Sequence, residues 1–373
     1  MIYNPYKYIL LCVTVVLSCD NSSEPQSRTT SMSSTDTLIE WQNYLQSSAQ
    51  GIWEDSSQHD IQTTRLHSFG GEEDLNPIFF DPIFIDVSGD TIVVADRAND
   101  TVVCFDSTGA LLWKYGGAGE GPGFLLGIGS LNIGDSLISV INSGFGYVDL
   151  ITRDGCFSRR LTSVNAPQNA VFLNNDVIAV FSKQHPGGDV HLVRIESDSI
   201  TSSFGNGNWE SQYASFRSIW DIWATFIGSE YLVYVSQYEN KLIVCNTFDG
   251  TSSCYSARNL PYTLTVTNNT VDHETRSIYS SYYPVFSAVF QGPQGEICVV
   301  LNNIMSDGRM SGSTDVQSQA PVTCVDRYSP SGEYLASFCF PDSGIGKVAT
   351  NGNGYYVATQ RYTGLVFGYR LEI

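Results

Sequence analysis

The residues point to an all-β chain: a six-bladed β-propeller of four-stranded blades, closed by an N-terminal strand and preceded by a signal peptide, a tether and one short helix. Three observations carry this expectation. From residue 65 onward helical periodicity stops, and short β-branched and aromatic runs alternate with polar corners and Gly turns. The strand-and-corner segment recurs six times, with corners near residues 97, 142, 183, 237, 302 and 361, a period of roughly 40 to 65 residues. The last unit stops at Ile373 after three strands, while Thr64 to Gly70 (TRLHSFG), ahead of the first unit, can supply the missing fourth. Such a closure removes an exposed sheet edge.

Length and composition agree. A chain of 373 residues with 33 Gly, 13 Pro and 42% hydrophobic residues can bury a sizeable core in one large all-β domain or two smaller ones. A net charge of −19, with only 19 Lys and Arg, argues against nucleic acid, whose phosphates need clustered cations.

Taken in order, residues 1–18 read as an export signal. Lys7 supplies the positive region, and Tyr8 to Leu17 (YILLCVTVVL) an apolar stretch about half the roughly twenty residues that a membrane span needs. Val16-Leu-Ser-Cys19 resembles the lipobox of bacterial lipoproteins, with Val in place of Leu at its first position. The resemblance implies a lipid on Cys19, the first residue of the mature chain, and a place in the bacterial cell envelope, anchored to a membrane by lipid alone. Residues 19–36 are polar and Ser/Thr-rich, as a flexible tether should be. In residues 37–62 a capping box, Thr37-x-x-Glu40, precedes Leu38, Trp41 and Leu45 at helical spacing.

Residues 63–373 form the propeller, and the first blade is its clearest copy: strand TIVVAD, corner RAND, strand TVVCFD, turn STG and strand ALLWKY. VADRANDTVVCFDSTGALL resembles the NHL-type repeat, and GGAGEGPGFLLG resembles the Gly-Pro-Gly-Phe segment of six-bladed propeller lipoproteins of bacteria. The likeness implies the fold and says little of function, since propellers host unrelated activities. The glycine-rich run Tyr115 to Gly123 (YGGAGEGPG) lacks both the Lys of a phosphate loop and the dinucleotide spacing. It reads as the joint between two blades, with Gly and Pro setting unusual backbone angles.

Phe105 to Trp113 (FDSTGALLW) resembles the Asp-x-x-Thr-Gly-x-x-x-Trp docking motif of quinoprotein-type propellers, but the other turns lack the Trp. Trp113 is therefore expected to pack between blades. The same is expected of Trp220 and Trp223, which could also stack on a flat ligand. His185 and His191, in HPGGDVH, would need metal ligands from elsewhere in the chain, and VDHET at 271–275 reads as a solvated loop. No catalytic residue, metal site or cofactor is assigned. No Gly-x-Ser-x-Gly occurs.

In a propeller the corners between second and third strands surround one mouth of the channel. Here they present Arg97, Asn142, Lys183, Gln237, Asn302 and Arg361. Three cations among six suggest a funnel for a small anionic ligand or peptide. The expected role is an exported, lipid-anchored binding or scaffold module whose partner is a protein or small anion. The alternative is a propeller enzyme, lactonase- or lyase-like, with a metal in the channel.

Seven cysteines beyond Cys12 and Cys19 leave at least one thiol unpaired. In CNTFDGTSSC a two-residue turn would set Cys245 opposite Cys254, within reach of a disulfide. A three-residue turn with a Gly bulge, as STG, RDG and PSG suggest elsewhere, would set Cys245 opposite Ser253 and is preferred.

Overall fold

The computed structural model describes residues 62–70, nearly all of 79–205, the strands between 222 and 304, and most of 322–372. The signal peptide, the tether and the expected helix lie outside the described residues, except that Gln62 begins the first strand, β1 (Gln62–Gly70).

The chain forms an all-β, six-bladed propeller of four-stranded antiparallel blades. The first complete blade runs outward from the channel as β2 (Pro82–Ser88), β3 (Thr91–Asp96), β4 (Thr101–Asp106) and β5 (Leu111–Gly116). The second is β6 (Ile128–Ile133), β7 (Leu137–Asn142), β8 (Tyr147–Thr152) and β9 (Phe157–Leu161), and the third β10 (Asn169–Phe172), β11 (Val177–Phe181), β12 (Val190–Arg194) and β13 (Ser199–Phe204). The fourth is β14 (Ile222–Ile227), β15 (Tyr231–Ser236), β16 (Lys241–Asn246) and β17 (Ser252–Ser256). A two-stranded hairpin follows, β18 (Leu264–Val271) and β19 (Glu274–Ser281), so the expected loop at 271–275 is the tip of paired strands. The fifth blade is β20 (Phe286–Gln291), β21 (Ile297–Ile304), β22 (Val322–Tyr328) and β23 (Tyr334–Cys339). The sixth has β24 (Ile345–Thr350), β25 (Tyr355–Gln360) and β26 (Leu365–Glu372), and β1 completes it from Gln62↔Glu372 to Gly70↔Leu365.

Stacked blades cover one another on both faces, so their middle strands need apolar residues without alternation. Ile92 to Ala95 on β3 and Val102 to Phe105 on β4 are all buried, whereas Leu111 and Leu112 on the outer strand β5 are exposed. One cluster joins Val93, Cys104 and Tyr115 of the first blade to Leu125, Ile138 and Val140 at the second. Each such aliphatic side chain removed from water contributes about 1.5–3 kcal/mol.

The glycine-rich joint has the architectural role expected of it. Gly117 N–H donates to Asp100 O at 2.8 Å, and Leu125 N–H donates to Gly117 O at 3.1 Å. Gly116 has φ +93°, and a Cβ there would lie 2.7 Å from Asp100 O and from Leu125 Cδ1. Trp113 bridges blades: its indole N–H donates to Arg153 O, in the outer turn of the second blade, at 2.8 Å.

The cysteine expectations need correction. Cys245 stands opposite Ser252, not Ser253 or Cys254, and it is a buried free thiol. β16 ends at Asn246 and β17 begins at Ser252, and Gly250 N–H reaches back to Asn246 O at 3.0 Å. The one disulfide among the described residues joins Cys324 to Cys339, direct partners on β22 and β23.

Candidate functional site

The corner residues fall into two kinds. Arg97 is exposed, and its guanidinium pairs with the Asp81 carboxylate at 2.8 Å. Asn142 is fully buried. Its amide donates to Phe124 O at 3.2 Å and Asp149 Oδ2 at 3.3 Å, and its oxygen accepts from Leu126 N–H at 3.0 Å. Lys183, Gln237 and Arg361 lie outside the described residues, as does the Asn302 side chain, although its backbone belongs to β21.

Asn142 occupies the position of Asp96 in the first blade, the last residue of the second strand. Asp96 is likewise buried, and it accepts from the N–H groups of Phe80, Asp81 and Ala98 and from the Asn99 amide. Ser182 follows the same logic in the third blade: its hydroxyl donates to Asn165 O and accepts from His185 N–H. In these three blades a short polar side chain at this position thus ties the corner to the link entering the blade. Asn142 is a tie of this kind, and Arg97 points outward beside one.

At this third corner the His185 and His191 rings meet edge to face, 4.6 Å between centroids. His185 Nδ1 accepts from Asn165 N–H, so its proton sits on Nε2. Among the described residues no third His, Cys, Asp or Glu joins them. Burial and the neighbouring ring hold His191 below the ordinary histidine pKa.

The six inner strands, β2, β6, β10, β14, β20 and β24, enclose a channel cavity of about 310 Å³. Asp86 is the one carboxylate among its described lining residues, and Lys347 the one cation. Asp86 Oδ2 accepts from Ile133 N–H at 2.7 Å and the Asn132 amide at 3.0 Å, while Oδ1 accepts from Val87 N–H at 2.9 Å. Desolvation outweighs these donors and raises its pKa to about 6. The Asn132 oxygen accepts in turn from Phe172 N–H at 3.0 Å, so side chains stitch the first three inner strands together.

On the other side of the ring, bulges re-aim the lining. In β20 the register shifts between Phe286 and Ala288, and in β24 between Ile345 and Val348. The residues displaced are Ser287 in β20 and Gly346 with Lys347 in β24, and β2 and β6 shift at the matching point, around Ile83 and Gly129. Lys347 N–H donates to the Thr359 hydroxyl at 3.0 Å, and the ammonium donates to Ser287 O at 3.2 Å, with the Phe84 ring centroid 5.9 Å away. The Ser287 hydroxyl is buried with no hydrogen-bond partner among the described residues.

Sequence reasoning looked to the corners and missed this lining. The inner strands carry the weakest repeat signal, and a bulge leaves no residue signature of its own.

No family model matches the chain, and no curated protein matches it. Solved structures do resemble it. A member of the duf4221 family from Bacteroides vulgatus superposes with a TM-score of 0.53 at 8% identity, over 84% of this chain and 99% of that one. A protein of Bacteroides fragilis described as a candidate exported protein gives 0.54 at 12%, over 85% and 96%. A chain of the mitotic checkpoint complex gives 0.53 at 11%, over 97% and 98%. Proteins of such different settings share the ring with this chain, and what the likeness establishes is the six-bladed propeller fold.

Proposed function

We propose that the protein is an exported, lipid-anchored propeller of the NHL type that binds a small polar ligand in its central channel. The observation carrying this reading is the cavity itself: about 310 Å³, ringed by all six inner strands and lined by amide, hydroxyl and charged side chains. That volume is at the lower end of small-molecule sites. Export and anchoring rest on the signal-like N-terminus and on Cys19 in VLSC, and the candidate exported protein of Bacteroides fragilis agrees with them. The enzyme alternative would need oxygen or nitrogen ligands converging on a channel metal. The described lining offers one carboxylate, Asp86, already engaged by three N–H donors, and the oxygens of Asn132, Asn169 and Asn351 each already accept hydrogen bonds from the protein, so this donor set is committed elsewhere.

Mass spectrometry of protein isolated from its own membrane tests both halves. Denatured, it should carry acyl chains that disappear in Cys19→Ala; native, it should retain a small molecule and no stoichiometric divalent ion. Unacylated wild-type protein would end the anchor, and one tightly held divalent ion per chain would favour the enzyme.

A further inference from the structure

We propose that Lys347 and Ser287 form an oxyanion subsite inside the channel, taking the carboxylate or phosphate of the ligand. The inference rests on the channel reading and gives the ligand its chemical class.

Four observations carry it. First, β2, β6, β20 and β24 all shift register near their starts, and in the adjacent strands β20 and β24 the residues displaced include a hydroxyl, Ser287, and a cation, Lys347, where β2 and β6 displace Ile83 and Gly129. A bulge costs ladder pairing, yet in β24 the displaced N–H is satisfied by the Thr359 hydroxyl, so the irregularity is built in. Second, the Lys347 ammonium sits against the neighbouring strand, 3.2 Å from Ser287 O. Third, the Ser287 hydroxyl is buried and unpartnered among the described residues. A buried hydroxyl without a partner is unfavourable, and an oxyanion accepting its hydrogen bond would relieve that. Fourth, the competing charge is engaged elsewhere. Asp86 bonds to Asn132 and Ile133 on the second blade, and the cation acting on it is Arg153.

Apolar side chains stand beside this pair. Phe84, Val289 and Val348 line the same cavity, and Phe84 lies under the ammonium. These side chains suit a short aliphatic chain behind the head group, while the ammonium offers a charge-assisted bond to the anion.

The test is calorimetric titration of the mature chain with three probes: butyrate, inorganic phosphate and neutral glucose. Butyrate, phosphate or both should bind the wild type. Lys347→Met should weaken that binding about tenfold or more, Lys347→Arg should restore most of it, and Ser287→Ala should weaken it severalfold. Butyrate without phosphate identifies a carboxylate ligand, and the reverse a phosphate. Oxyanion binding unchanged in Lys347→Met overturns the subsite. Should that variant fail to fold, full oxyanion affinity in Ser287→Ala overturns it instead. Glucose binding without either oxyanion removes the subsite and leaves the channel reading standing; no binding of any probe removes both.

Discussion

Asp96 and Arg97 are neighbours in sequence with opposite duties. Asp96 is buried and gathers four donors from two links, whereas Arg97 makes an exposed ion pair. Asp96→Ala strands those donors and should lower unfolding free energy by about 2–4 kcal/mol. Arg97→Ala should cost within about 0.5 kcal/mol. Urea denaturation of the two variants side by side checks the contrast. The sequence shows a polar corner in both cases; it does not show which side chain turns back onto the preceding link. That is why Asn142, a buried tie, stood beside Arg97 as a candidate for binding. Asp86 supports a second expectation. Its pKa rises from 3.8 to about 6 on folding, so the folded chain holds that proton more tightly than the unfolded one. The stability this lends is present in acid and is lost as pH climbs from about 4 through 6. In thermal melts across that window, wild type should lose ground to Asp86→Asn; parallel curves would contradict the shift.

Strands were easy to read where blades cover them on both faces, and hard where loops set the register. β3 and β4 announce themselves as unbroken apolar runs. The turn after β16 did not, because the residue that the first blade places in a bulge between Cys104 and Phe105 lies here in the turn, which changes the partner of Cys245 alone. Nor did β22 and β23 reveal their disulfide, since pairing Cys324 with Cys339 depends on the register of strands 15 residues apart. Closing a loop of that length restricts the unfolded chain by about 3 kcal/mol on the entropy account. Under oxidising conditions Cys324→Ser with Cys339→Ser should therefore melt several degrees below wild type, and a reducing agent should bring the two together. Equal melting without reductant would mean that the bond contributes nothing to stability.

The ring was legible because its evidence is redundant: six corners, a period and an incomplete last blade all imply the same closure. The channel lining was not, since its members come one or two at a time from six distant segments. Closure itself has a mechanical side. β26 leaves the face of the corners at Leu365 and reaches the opposite face at Glu372, and β1, antiparallel to it, enters the ring at Gln62 on that opposite face. The residues between Cys19 and Gln62 therefore join the propeller on the side away from the corners. Under the proposed anchoring at Cys19, tension pulling straight off that side would run along the axis of β1. The rungs from Gln62↔Glu372 to Gly70↔Leu365 then resist in shear, all at once, instead of parting one after another. The strand that closes the ring is thus also the seam that takes the pull, and its direction decides whether the propeller holds or opens.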